Sequence, residues 1–245
     1  MNHDNITPYQ NSESKKEQVA KMFDNISHSY DFLNSLLSFG TQKGWRKKCV
    51  KLLEDKRPKQ ILDVATGTAD FAIECAALSP DKIIGVDISE GMMKLGREKV
   101  IKKGLHKIIS LEYGNAETVI YDDNTFDAIV IGYGVRNFQN LESGLINLLR
   151  VLKPGGKIVI LEFSYPTNPV VKGFYTFYFS YITPFIGRIF SKDKRAYSYL
   201  IESVKAFPNN ENFVAILNKL NYKNTSYKTL SMGIAAIYCG EKNVY

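Results

Sequence analysis

Cysteine, histidine and tryptophan are scarce in this 245-residue chain, which holds three, three and one of them. Cys49, Cys75 and Cys239 lie far apart with no C-x-x-C spacing, and His3, His28 and His106 are equally scattered. That excludes a disulfide framework, points to a reducing compartment and leaves no ligand spacing for a metal, so none is expected. No apolar run reaches the length of a bilayer span, and the polar start MNHDNITPYQNSESKK lacks the apolar centre of a signal peptide. Residues 1–14 are expected to be a disordered tail and residues 15–245 a single domain of a cytoplasmic protein.

A continuous basic face is missing too. The net charge is +7, but residues 61–164 carry 14 acids against 11 bases, while 1–60 and 165–205 carry a surplus of four bases each. An acidic centre argues against nucleic acid as a partner. The basic flanks suit an anionic membrane surface, which implies a peripheral position at the inner face of the membrane.

Glycine is short where a dinucleotide would demand it. The positions of a G-x-G-x-x-G fingerprint read Ala65, Gly67 and Asp70, so two of three fail. What stands there is ILDVATGTADFAIECAALSPDKIIGVD over residues 61–87: apolar run, small-residue turn, helix pattern, second apolar run and a terminal acid. A bare position at Gly67 lets backbone approach a ligand, and the helix start beyond it presents free amides to a carboxylate. Asp87 ends its strand where it can accept bonds from two ribose hydroxyls. Asp63 would repel a pyrophosphate but suits a cationic amino group. Together these favour S-adenosylmethionine over a dinucleotide.

The remaining pattern is α/β. Helical periodicity covers about 13–57, with Val19, Met22, Phe23, Ile26 and Tyr30 on one face and a further cluster at Phe32, Leu33, Leu36 and Leu37. Strands are expected near 60–64, 82–87, 108–113, 126–133 and 156–163, alternating with helices, which means a parallel sheet covered on both sides. Ser89 is the expected cap of a helix over 90–103 that Gly104 closes. A helix near 209–220 and apolar runs at 222–230 and 233–240 complete the chain, the runs pairing as an antiparallel hairpin. Between them, residues 165–205 turn abruptly aromatic and basic. GFYTFYFSYITPFIGRIF, at 173–190, is too short to span a bilayer and suits either a lid over an apolar substrate or a helix lying in the interface.

Two stretches carry a family resemblance. YDFLNSLLSFGTQKGW at 30–45 and RVLKPGGKIVILEFS at 150–164 resemble the two signatures of the ubiquinone and menaquinone biosynthesis C-methyltransferases, most nearly the members that act on a demethylmenaquinol. The second signature matches throughout. The first has Leu33 where Met is usual and Gln42 where His is usual. The resemblance implies a class I S-adenosylmethionine-dependent methyltransferase fold, Rossmann-like, with a mostly parallel seven-stranded sheet and an antiparallel C-terminal hairpin. It implies cofactor contacts at Thr68, Asp87, Asn115 and Ala116, to which the reading above adds Asp63 and Gly67. The family's first glycine is Ala65 here.

The reaction it implies is methyl transfer to a ring carbon of a polyprenylated naphthoquinol, the last step of menaquinone biosynthesis. Such a ring must be reduced and partly deprotonated to be nucleophilic, and positioning supplies much of the rate. Arg136, after the fourth expected strand in GYGVRNF, is the candidate to stabilise the developing phenolate, directly or through a water. Tyr133, Tyr30 and Asp31 are candidates to shape the ring pocket. Glu162 ends the fifth strand. Two other readings stay open at this point: a benzoquinol acceptor in ubiquinone biosynthesis, and a noncatalytic membrane-associated lipid or quinone binder. The sequence also leaves a homo-oligomer open.

Overall fold

The structure is a computed structural model that describes residues 2–9, 11–37, 40–177 and 194–244. Its centre is a seven-stranded sheet of order β3-β2-β1-β4-β5-β7-β6. The strands are β1 (Gln60–Val64), β2 (Lys82–Asp87), β3 (Ile109–Tyr113), β4 (Phe126–Gly132), β5 (Leu152–Phe163), β6 (Lys223–Leu230) and β7 (Ala235–Glu241). β1 to β5 pair in parallel, and β7 runs antiparallel to both β5 and β6. The expected hairpin therefore has its second strand inserted between β5 and β6, so β7 alone is reversed.

The helices are α1 (Lys15–Leu37), α2 (Thr41–Lys51), α3 (Asp70–Cys75), α4 (Glu90–Lys102), α5 (Leu141–Val151), α6 (Pro169–Phe177), α7 (Lys194–Ala206) and α8 (Glu211–Lys219). Of these, α2, α3, α5 and α8 contribute to the cores on the two sheet faces, while α1 and α7 pack on each other in a third cluster. Both faces carry a core because the strands are apolar at consecutive positions rather than alternate ones. Leu62, Val64, Ile84, Ile129, Ile131, Ile158 and Ile160 enter one core with α5 and α8. Their neighbours Ile61, Ile83, Ala128, Val130, Val159 and Leu161 enter the other with α2 and α3. Successive strand side chains point to opposite faces, so a run apolar at both parities must be covered twice. Ser89 caps α4 as its type predicts, its side chain accepting from the Met92 amide.

The described residues within 1–14 pack on the rest of the chain rather than forming the detached tail expected from their polarity. His3 is buried and meets Phe207 edge-on at 5.8 Å, Asp4 accepts from the Leu141 amide, and Pro8 O accepts from Arg195. Lys15, 5 % exposed, donates to the carbonyls of His3 and Arg136. The segment docks mainly by offering its own carbonyls to the Lys15 and Arg195 side chains, with Ile6 and Tyr9 as isolated apolar contacts, and none of these sets up a periodic apolar pattern in the segment itself.

Of the aromatic and basic stretch, α6 and α7 are described, and residues 178–193 lie outside the described residues. No helix among the described residues is long and apolar enough to cross a membrane.

Candidate cofactor and acceptor site

A cleft of about 680 Å³, counted to its open mouth, lies beyond the carboxyl ends of β1, β2, β3 and β4. This is where the strand order reverses between β1 and β4, the place at which open α/β sheets leave a crevice. Val64, Ala65 and Gly67 form one wall, Asp87, Ile88 and Met92 the next, and Asn115 and Ala116 another. Gly132, Tyr133, Gly134 and Asn137 close the β4 side, and Val19 and Phe23 of α1 lie across it.

The turn after β1 is built from left-handed residues at alternate positions: Ala65 at φ 56°, Gly67 at φ 54° and Ala69 at φ 64°. For Gly67 that conformation is free, whereas Ala65 carries a cost of about 1 kcal/mol. The Ala65 methyl is accommodated because residue 134 is glycine; a Cβ there would sit 2.3 Å from that of Ala65.

Two carboxylates organise this corner. Asp87 accepts from the Gly67 amide at 2.7 Å and from the Ser89 amide at 2.8 Å, one bond to each oxygen. Each oxygen keeps a lone pair for a further donor. Burial pushes the Asp87 carboxyl up to about 6 against those two bonds. Asp63 is fully enclosed and accepts from the Thr66 hydroxyl at 2.6 Å and the Ala72 amide at 3.0 Å. Its other oxygen, Oδ1, has no hydrogen-bond partner among the described residues, and burial raises the carboxyl to about 7.

Asn115 accepts through its side-chain oxygen from the amides of Glu117 and Thr118, which leaves its amide nitrogen as the group available to a ligand. Ala116 beside it is 1 % exposed. A flat heteroaromatic edge could be met there by a donor and a small apolar surface. The corner as a whole offers a carboxylate acceptor, a close-approach turn, and an amide donor beside a small apolar surface.

The profile of the ubiE/COQ5 methyltransferase family matches residues 11–242. The chain belongs to that family. This methyltransferase is 45% identical to the demethylmenaquinone methyltransferase of Bacteroides fragilis over 238 residues, 97% of each chain. It is 44% identical to the ubiquinone/menaquinone biosynthesis C-methyltransferase UbiE of Geobacter sulfurreducens, over 98% of this chain and 93% of that one. Among solved structures it resembles an S-adenosylmethionine-dependent methyltransferase of Thermotoga maritima, with a TM-score of 0.62 at 17% identity, covering 91% of this chain and 99% of that one. At that identity the likeness shows the fold.

Of the cofactor residues named from the sequence, the cleft wall of this methyltransferase holds Gly67, Asp87, Asn115 and Ala116. Thr68 and Asp63 are behind the turn instead. Thr68 is 3 % exposed, and its hydroxyl accepts from Lys99 at 2.9 Å. Sequence reasoning missed Ile88 and Met92, although the apolar residue directly after Asp87 and the capped helix start beyond it were signals that could have found them. It also missed that Val19 and Phe23 face the cleft, because periodicity shows that a helix has an apolar face and not what that face meets.

On the acceptor side the methyltransferase places Arg136 and Tyr133 together. Arg136 Nη1 donates at 2.6 Å both to Glu162 Oε1 and to the Tyr133 carbonyl, and the Arg136 amide reaches Glu162 Oε2 at 3.3 Å. Glu162 is fully buried, and burial raises its carboxyl above the usual value despite the guanidinium beside it. Tyr133, at φ 59°, stacks on Phe163 with centroids 4.5 Å apart, and Arg136 lies 5.6 Å from the centroid of the same ring. Tyr175 of α6 and Tyr199 of α7 are buried close enough to feel both charges, and the Tyr199 hydroxyl donates to Asn137. Tyr133 lines the cleft; Arg136 stands one layer behind it. Asp31 falls in α1, but its side chain, like that of Tyr30, lies outside the described residues. Among the described residues no three His, Cys, Asp or Glu side chains group to hold a metal ion.

Proposed function

We propose that this chain methylates a ring carbon of a polyprenyl demethylmenaquinol at the expense of S-adenosylmethionine, completing menaquinone biosynthesis. The observation that carries this reading is the 45% identity, over 97% of each chain, to a demethylmenaquinone methyltransferase. The cleft supports it independently through Asp87, the Gly67 turn and the Asn115-Ala116 pair.

When bound, the cofactor supplies an electrophilic methyl group on a sulfonium. Asp87 would hold the ribose hydroxyls and Asn115 with Ala116 the adenine edge. Thr68 and Asp63 keep the turn in shape, and the unmatched Asp63 oxygen suits an amino group or a water that relays to one. On the other side, the Tyr133 ring, backed by Phe163, lines the cleft where an acceptor ring can lie. Arg136 acts on the developing phenolate, directly or through a water, and Glu162 beside it keeps the guanidinium oriented. Orientation of ring against methyl donor carries much of the rate, since the transfer needs an in-line approach.

The prenylated acceptor and the charge pattern support a peripheral membrane position. α6 exposes Val170 and Phe174, four residues apart on one helix face, with Lys172 between them.

Two measurements test the reading. Incubation with labelled S-adenosylmethionine should label reduced demethylmenaquinone; label in a benzoquinol precursor alone overturns the acceptor. In single turnover at saturating cofactor, Arg136→Ala should slow methyl transfer about a hundred- to a thousandfold, a loss typical of one charge-stabilising donor, and Arg136→Lys should slow it at least about tenfold. An unchanged rate removes Arg136 from catalysis.

A further inference from the structure

The cofactor corner has one more member, on a helix that the glycine turn and its ribose acid do not involve. Asp24 of α1 accepts from the Ser89 hydroxyl at 2.6 Å and from the Gly91 amide at 2.9 Å, through the same oxygen. Ser89 in turn gives its amide to Asp87 and accepts from the Met92 amide. Asp87 takes the Gly67 amide. A continuous chain of hydrogen bonds thus runs from α1 through the start of α4 and the ribose acid to the turn after β1. The residue before Asp24 is Phe23, which with Val19 forms the α1 side of the cleft.

We propose that Asp24 is a positioning residue for the cofactor: it fastens the helix that walls the cleft to the loop that holds Asp87, so that ribose recognition and closure of the wall depend on each other. The inference rests on the S-adenosylmethionine reading above and adds to it a residue 63 positions away from Asp87 in sequence. The carboxylate suits the task on two grounds. It is an anion at the first turn of α4, where unpaired amides and the helix dipole favour negative charge. It also places that charge near Asp87, whose carboxyl it helps to raise, which makes Asp87 a stronger acceptor for hydroxyls. Asp24 is exposed on its outer side, while Ser89, to which it bonds, is fully buried.

The test uses the full chain and S-adenosylhomocysteine, the demethylated product, with no quinol present. Calorimetry should show Asp24→Ala weakening binding by about tenfold, the worth of a hydrogen bond to a charged acceptor. Stopped-flow displacement should place most of that loss in a faster off-rate. The 2′,3′-dideoxy analogue of the same ligand separates positioning from general damage: once both ribose hydroxyls are gone, the Asp24→Ala effect should shrink to about threefold or less. Asp24→Glu should recover part of the affinity. An off-rate equal to that of the unaltered protein overturns the proposal, as does an equal loss for both ligands together with a lowered unfolding temperature. If the unaltered protein itself binds no S-adenosylhomocysteine, the cofactor reading fails rather than the role of Asp24.

Discussion

The two sides of the cleft are assembled in different ways. The cofactor corner is mostly short-range: Gly67 and Asp87 are 20 residues apart, Ser89 and Asp87 two, and the bonds run from backbone amides to carboxylates. The acceptor side is long-range. Arg136 meets Glu162 26 residues on, Asn137 meets Tyr199 62 residues on, and Lys15 reaches the Arg136 carbonyl across 121 residues. A corner made of amides and a turn tolerates exchange of most side chains around it. A pocket made of one buried ion pair boxed by tyrosines from α6 and α7 depends on each of its members, because a charge left alone there has no water to turn to.

The largest expected effect is therefore on the acceptor side. Glu162→Ala strands the Arg136 guanidinium, and urea unfolding should show a loss of about 3–5 kcal/mol. An isosteric Glu162→Gln, which keeps an oxygen for the guanidinium and the Phe163 amide, should lose less. If Glu162→Ala unfolds like the unaltered protein, the buried pair is not what holds this side together.

On the cofactor side the fold should survive and binding should suffer. Asp87→Asn is expected to weaken S-adenosylhomocysteine about ten- to a hundredfold, as expected for hydroxyls that lose a charged acceptor. The pH dependence should change with it. The Asp87 carboxyl titrates near 6, raised by burial, so the acceptor is charged above that pH and is neutralised as pH falls through it. Affinity of the unaltered protein, measured by calorimetry, should decline from pH 7 to pH 5, and Asp87→Asn should remove the part of that decline centred near 6, leaving the part that follows Asp63 near 7.

The smallest effect sits where the two sides touch, at Ala65 and Gly134. Gly134→Ala forces two methyl groups into the space of one, 2.3 Å apart before relaxation, and should cost about 1–3 kcal/mol in thermal unfolding. Ala65→Gly removes the methyl and the left-handed strain but frees the unfolded chain, so alone it should fall within about 1 kcal/mol of the parent. Combined, the second change should recover most of the first. A strictly additive double variant would mean that the two turns do not share that space.

The family departure at Ala65 shows what sequence can and cannot reveal. From the sequence, alanine in place of the first glycine left the turn in question. The structure has that alanine left-handed and its methyl seated against Gly134, a residue 69 positions later that nothing in the local pattern links to it. Asp63 shows the same limit. Its place at the end of an apolar strand was legible, but its bonds to Thr66 and Ala72 put it behind the turn, with only one oxygen left over. Polarity misled at the N-terminus, because docking through carbonyls, one carboxylate and a few isolated side chains does not register as hydrophobic periodicity.

What the sequence by itself determined is the architecture and the turn, helix start and terminal acid that close on one another beside the cleft. Strands apolar at both parities must be covered on both faces, and a turn, a helix start and a terminal acid within about 25 residues can close on one another through backbone groups that every residue carries. What only the tertiary structure decided is which side chains meet from distant segments: Asp24 on the start of α4, Arg136 on Glu162, Tyr199 on Asn137 and Lys15 on the Arg136 carbonyl. Those pairings depend on how distant segments seat on the sheet, a property of packing rather than of local pattern.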